Sequence, residues 1–172
     1  MSKNQYNYGL VILPQKSLYK KTEAIIKRFS QKFKTPFFVP HLTLLGSVQG
    51  GEKQIINKLN QLTKNLKPFY SNFGKTEFSS TYFQSVFVRV NMNASLIGLY
   101  LKARDIFKTD INHIFMPHLG LIYGDIGISK KEKAALSVNL VGLKFRFNNI
   151  WLVKARKGDK PEDWPYIKEF TF

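Results

Sequence analysis

Cysteine is absent from the 172 residues, which excludes disulfides and thiolate metal sites. A chain without disulfides is by default intracellular, and a cytoplasmic protein is expected. Long apolar runs are also lacking: none approaches the ~18 residues a membrane helix needs. Residues 1–8 are polar and carry one lysine, unlike a signal peptide, so no membrane partner is expected. Acidic residues are scarce toward the N-terminus. Residues 1–104 hold three against 16 Lys and Arg, whereas residues 105–172 hold eight against 11. The formal charge of +16 attracts polyanions, RNA above all, although lysine-rich solvated helix faces have the same composition. Lys20, Lys21, Lys27, Lys58 and Lys64 fall on such faces. Histidine is scarce too, with three in the whole chain.

With 44% hydrophobic and 15% aromatic residues, the chain can bury a sizeable core as one compact domain. Residues 8–13 read as a strand closed by Pro14. From Ser17, the residues Leu18, Thr22, Ile25, Ile26, Phe29 and Phe33 follow the 3.6-residue period of an amphipathic helix. A second strand is expected over 37–45, ended by Gly46 and the Gly50-Gly51 turn. Ile55, Leu59, Leu62 and Leu66 mark a second helix before Pro68. Strands over 69–78 and 82–90, a helix over 96–107 and a strand over 115–123 follow. Ser129 and Glu132 form a Ser-x-x-Glu capping box for a fourth helix reaching about Leu140. Strands over 143–153 and 166–172 close the chain, with a surface loop over 157–165.

The order strand–helix–strand–helix–strand thus occurs twice, over about 6–78 and 82–154, followed by the C-terminal strand. In both copies the middle strand begins with Pro-His. His41 sits in Val39-Pro40-His41-Leu42-Thr43-Leu44-Leu45-Gly46, and His118 in Met116-Pro117-His118-Leu119-Gly120-Leu121-Ile122-Tyr123-Gly124. The two histidines are 77 residues apart. The third, His113, lies outside the repeat. Such a duplication implies an α+β fold of two lobes with pseudo-twofold symmetry, here a single bilobal domain. Alternation along each strand puts His41 with Thr43, and His118 with Gly120, on one face. If the lobes are related by a twofold axis, the two histidine faces meet in one cleft.

Phosphoester chemistry gives that meeting a purpose. Opening a 2′,3′-cyclic phosphate requires an attacking water to lose a proton and a departing sugar oxygen to gain one. Imidazole titrates near pH ~6.5, so a pair can hold opposite protonation states at neutral pH. Each transfer is typically worth about 10² to 10⁴ in rate. The Thr43 hydroxyl can stabilise charge on a nonbridging oxygen. No cluster of His and carboxylates suggests a metal, and no cofactor is expected.

These motifs resemble the two-histidine (2H) phosphoesterases, defined by paired His-x-Thr/Ser elements, and within them the cyclic phosphodiesterases of plant and fungal type. Phe38-Val39-Pro40-His41-Leu42-Thr43-Leu44 matches the first motif and Phe115-Met116-Pro117-His118-Leu119 begins the second. The stretch Tyr82-Phe83-Gln84-Ser85-Val86-Phe87 is similar to the family's aromatic-Phe-Gln strand, while Leu143 to Phe147 and Trp164 also have counterparts. The resemblance implies two antiparallel sheets forming a central cleft, with helices outside. It implies metal-independent hydrolysis of nucleoside 2′,3′-cyclic phosphates, or of ADP-ribose 1″,2″-cyclic phosphate, by a cytosolic enzyme; a monomer is expected. His41 and His118 are then the catalytic pair, one activating water and the other protonating the leaving oxygen; the resemblance does not assign which, and His118 is taken as the base. Thr43, position 120 and Tyr123 border the phosphate, and Phe83 and Gln84 line the cleft. Alternative substrates are RNA ends, in a phosphodiesterase or 2′–5′ ligase-like reaction, or nucleotides and RNA bound with weak turnover. The chain departs from the pattern in two places. Gly120 stands where the family has Thr or Ser, and residues 9–14 lack the family's nucleotide-stacking aromatic. Either a water or Tyr123 replaces the missing hydroxyl, or the cleft is widened, or the protein binds its ligand with weak turnover.

Overall fold

The computed structural model describes residues 7–110, 114–155 and 159–172. His113 lies outside them. In chain order the elements are β1 (Asn7–Ile12), α1 (Lys16–Phe33), β2 (Leu42–Val48), α2 (Glu52–Thr63), β3 (Phe69–Phe78), β4 (Val86–Val90), α3 (Ala94–Phe107), β5 (His118–Ile122), α4 (Ile128–Leu136), β6 (Lys144–Phe147), β7 (Asn149–Ala155) and β8 (Tyr166–Thr171). All strand pairs are antiparallel, in the order β6-β3-β4-β5-β2-β1-β7-β8.

Six of the seven neighbouring pairs share ladders, but β2 and β5 share almost nothing. They meet at one residue pair, Leu42 with Leu119. The sheet is therefore two four-stranded halves, β6-β3-β4-β5 and β2-β1-β7-β8, hinged on a seam. The α+β architecture expected from the sequence is the architecture observed. The lobes, however, are not two consecutive stretches of chain. β3 follows the first copy's helices yet pairs with β4, and β7 follows the second copy's helices yet pairs with β1. The helices cross as well, with α1 packing on β5 and α3 on β2. Each half is completed by strands from the other half of the sequence, which ties the two into one core.

Several element boundaries differ from those the sequence suggested. The strand expected over 37–45 begins only at Leu42, and that expected over 115–123 begins at His118. Pro36, Pro40 and Pro117 have no N–H to give a ladder. The Ser129–Glu132 capping box does not form: α4 is capped by Gly127 without a side-chain bond, so Ser129 lies inside the helix. That helix stops at Leu136 rather than near Leu140. The strand expected over 143–153 is broken at Asn148 into β6 and β7, which pair in different halves. By contrast α3 carries a side-chain cap that hydropathy did not reveal, Asn93 accepting from the Leu96 N–H at 2.9 Å.

The inward positions of both halves supply the core, including Leu10, Ile12, Leu42, Leu44, Val86, Val88, Leu119 and Leu121. Ile26 and Phe29 of α1 and Leu96, Leu99 and Ala103 of α3 close it from outside. Burial of such side chains contributes ~1.5–3 kcal/mol each. No helix among the described residues is long and apolar enough to cross a membrane.

Candidate active site

Antiparallel geometry about the Leu42–Leu119 pair decides what faces what across the seam. One residue to either side, Thr43 stands opposite His118, and His41 opposite Gly120. Each histidine thus faces the third residue of the other motif. The structure brings His41, Thr43, Phe83, Gln84, His118 and Tyr123 to the wall of one cleft of about 530 Å³. It does not bring Gly120 there.

The two imidazoles are held alike. His41 Nδ1 lies 2.7 Å from the Val39 carbonyl, and His118 Nδ1 lies 2.7 Å from the Met116 carbonyl. A carbonyl only accepts, so each Nδ1 carries the hydrogen and each Nε2 presents a lone pair. The Pro-His dipeptide explains the arrangement: proline keeps the preceding residue extended, and its carbonyl comes back onto the ring two positions later. Phe38 and Trp164 flank His41, with ring centroids at 6.2 and 6.3 Å. Phe87 meets His118 edge-on at 5.2 Å.

Burial pushes His41 down to about 4, and the neighbouring His118 charge acts in the same direction; the Val39 bond only partly opposes them. His118 is also lowered, first by burial and then by Arg89, its cross-strand partner, against the pull of the Met116 carbonyl. Arg89 is itself held by Glu77 at 2.6 Å. Both imidazoles are therefore neutral at pH 7 in the free protein. No Lys, Arg, Asp or Glu is among the residues lining the cleft. Among the described residues lining the cleft, the two histidines are the only His, Asp, Glu, Lys or Arg side chains.

Tyr123 occupies the place the second motif leaves open. Its ring stacks on Phe38 at 3.8 Å and 5°, and its hydroxyl donates to His41 Nε2 at 3.3 Å. Burial holds the phenol in its protonated form. A Cβ added at Gly120 would lie 2.6 Å from Tyr123 Cε1 and 3.2 Å from the hydroxyl oxygen. Gly120 is thus a buried floor under the ring, not a cleft residue. This corrects its expected place in the phosphate set, because a side chain at 120 and the present position of Tyr123 exclude each other. The missing motif hydroxyl would have faced His41, and the Tyr123 hydroxyl is there instead.

Phe83 is not a core residue: it is 52% exposed and Tyr82 beside it 47%. Their loop is closed on itself by Ser79, whose hydroxyl donates to the Gln84 carbonyl at 2.7 Å. Gly124, at φ +128, gives its N–H to the Tyr82 carbonyl at 2.9 Å, and the ammonium of Lys131, 1% exposed, donates to the Ser79 carbonyl at 3.2 Å. Sequence reasoning gave no cleft role to Tyr8, Trp164 or Tyr166, which also line it. The aromatic content around 164–166 was the available signal, but only the β7–β8 hairpin shows that this stretch returns to His41. Among the described residues no group of His, Cys, Asp or Glu is placed to hold a metal.

Paired histidine strands across a seam between antiparallel half-sheets are the arrangement of the 2H phosphoesterases, and this chain is one of them. More narrowly, it belongs to the family described as cyclic phosphodiesterase-like protein, whose model matches residues 8–149. A cyclic phosphodiesterase of Arabidopsis thaliana is 24% identical over 166 residues, 93% of this chain and 92% of that protein. Among solved structures, Escherichia coli LigT in complex with 3′-AMP superposes with a TM-score of 0.64 at 14% identity, over 98% of both chains. LigT in complex with ATP gives 0.63 at 15%, over 99% of this chain and 98% of that one. At such identities the structural likeness shows the fold.

Proposed function

We propose that the protein hydrolyses 2′,3′-cyclic phosphates of nucleotides, or ADP-ribose 1″,2″-cyclic phosphate, to phosphomonoesters by acid–base catalysis between His41 and His118. The observation that carries this is the cleft itself: two imidazole lone pairs face a pocket whose described lining holds no Lys, Arg, Asp or Glu. In the reaction His118 Nε2 takes a proton from water as the oxygen attacks phosphorus. His41 arrives protonated, the anionic phosphate favouring its charged form, and gives the Nε2 proton to the departing sugar oxygen. The P–O bond to that oxygen breaks as the new one forms, and the ring opens to a monoester. Thr43 and Tyr123 donate to the nonbridging oxygens, Thr43 from the His118 side and Tyr123 from the His41 side. In the free protein the Tyr123 hydroxyl donates to His41 Nε2 and favours the neutral imidazole; its transfer to a nonbridging oxygen when substrate enters frees that nitrogen for the proton.

The test is hydrolysis of the four nucleoside 2′,3′-cyclic phosphates and of ADP-ribose 1″,2″-cyclic phosphate in EDTA, followed by ³¹P NMR. A single phosphomonoester from at least one of them is expected, and no product from any would end the proposal. A second reading, an RNA-end substrate, is favoured by the charge. Lys16, Lys20, Lys21, Lys27, Arg28, Lys32 and Lys34 are all exposed on or beside α1. An oligonucleotide with the same cyclic end would then be preferred, and the preference would fall with salt.

A further inference from the structure

The sheet face that carries the two histidines continues beyond the cleft on both sides. Cross-strand partners point the same way, so successive pairs form a row across the sheet. On one side of the seam Thr43 pairs with Val11, Val11 with Trp151, and Trp151 with the exposed Glu169. On the other, His118 pairs with Arg89, and a Cβ at Gly74 would lie 3.3 Å from the Arg89 Cβ, so β3 shows its Gly74 side on that face. On the same side of β3, Asn72 pairs with Lys144 and Tyr70 with Arg146. Their neighbours Ser71, Phe73, Phe145 and Phe147 are buried, so alternation turns the exposed Lys144 and Arg146 to the histidine face. The row is electrically lopsided: it ends in a carboxylate at β8 and in an ammonium and a guanidinium at β6. Glu77, the one acid of β3, β4 and β6, is paired with Arg89 at 2.6 Å. Lys144 and Arg146 have no ion-pair partner among the described residues.

We propose that the open face of β4, β3 and β6 is the track for the phosphate backbone of a single-stranded RNA whose cyclic end sits in the cleft, with Lys144 and Arg146 on its phosphates. The track rests on the RNA-end reading for its ligand and adds the direction in which the chain leaves the site. A 2′,3′-cyclic phosphate needs a ribose 2′-hydroxyl, so a polymer that ends in one is RNA. Three strand spacings of ~4.8 Å separate β5 from β6, about 15 Å of open face beyond His118. A polyanion leaving the cleft is drawn to this side by the two free cations and turned from the other by Glu169. The cations of α1 are more numerous, but α1 packs on β5 from the core side, behind the histidines. They can attract an RNA without lying along a chain held in the cleft. Contacts of this kind are made to phosphates, so the track reads the presence of a strand and not its sequence.

The experiment follows fluorescence anisotropy of a 5′-labelled single-stranded octaribonucleotide with a terminal 3′-phosphate, over a range of salt. It compares wild type with Lys144→Ala/Arg146→Ala, with the charge-keeping Lys144→Arg/Arg146→Lys, and with Lys20→Ala/Lys27→Ala on α1. Each lost phosphate contact reduces the slope of log affinity against log salt by ~0.7, so Lys144→Ala/Arg146→Ala should lose about 1.4 of it, and at least tenfold in affinity at low salt. The charge-keeping pair should retain both, and the α1 pair should lose less than half as much. No RNA binding by wild type, or an equal loss in the α1 pair, would overturn the track. So would unchanged affinity in Lys144→Ala/Arg146→Ala, which would mean that these cations only guard the edge of the sheet. The same RNA ending in a 2′,3′-cyclic phosphate separates track from reaction. If binding depends on Lys144 and Arg146 but the ring is not opened, the track stands and the reaction falls; if the ring opens without that dependence, the reaction stands and the track falls.

Discussion

The replacement of one hydroxyl by another at His41 depends on a single missing side chain. Gly120 was legible as a departure from the His-x-Thr/Ser pattern, but its consequence was not, because nothing local links 120 to a ring three residues on. In a regular strand residues 120 and 123 point to opposite faces; β5 ends at Ile122, and Tyr123 folds back over the glycine. A serine at 120 therefore does not repair the motif. Gly120→Ser puts its Cβ against the Tyr123 ring at 2.6 Å and is expected to cost about 1–3 kcal/mol of stability, with loss of activity. Combined with Tyr123→Ala the same serine should cost less, so urea midpoints for the two single variants and the double would show positive coupling. Additive effects would mean that the ring and the glycine are independent.

Among the elements, the helices were the most legible, since α1 and α2 keep a clean apolar stripe that survives tertiary packing. Strand starts were less so. The prolines before His41 and His118 were read as parts of strands, whereas they hold the chain out of the ladder and thereby aim the carbonyls of Val39 and Met116 at the imidazoles. Helix ends show a symmetry that sequence comparison of the copies does not. Lys34 after α1 and Lys108 after α3 both adopt the left-handed conformation, at φ 56 and 51, and return their N–H to Ser30 and Arg104. Glycine is the residue for such a cap, since a Cβ there costs roughly 1 kcal/mol. Lys108→Gly is expected to raise stability by about that much without altering the helix, a change measurable in thermal midpoint. Destabilisation would show that the lysine side chain contributes more than its backbone conformation costs.

At the scale of the molecule, the duplication was visible and its exchange of strands was not. Period and polarity place strands, but which half a strand joins depends on partners more than 60 residues away, as β7 with β1 shows. The exchange makes the seam part of a single core, and burial there sets the protonation of the two histidines. The unfolded chain takes up a proton at each histidine below about pH 6.5, and the folded chain refuses it at His41 until about 4. Stability is therefore complete above pH 6.5 and falls as the pH is lowered through that window, by on the order of 3 kcal/mol from His41 alone. His118 adds in the same direction. In His41→Gln the loss of stability between pH 7 and pH 4.5, measured by urea unfolding, should be smaller than in wild type. An unchanged slope would mean that His41 is not held neutral by its burial.

Charge also acts at this scale. Among the described residues the basic ones lie outside the cleft, where they can steer an anion toward its neutral donors. The measurement that bears most directly on the whole is kcat/KM against pH for opening of a nucleoside 2′,3′-cyclic phosphate, in wild type, His41→Ala and His118→Ala. Two lowered imidazoles acting as acid and base give a bell with its maximum below pH 6.5, and each alanine should reduce the peak at least about a hundredfold. A maximum above pH 7, or turnover that survives either alanine, would contradict acid–base catalysis by this pair.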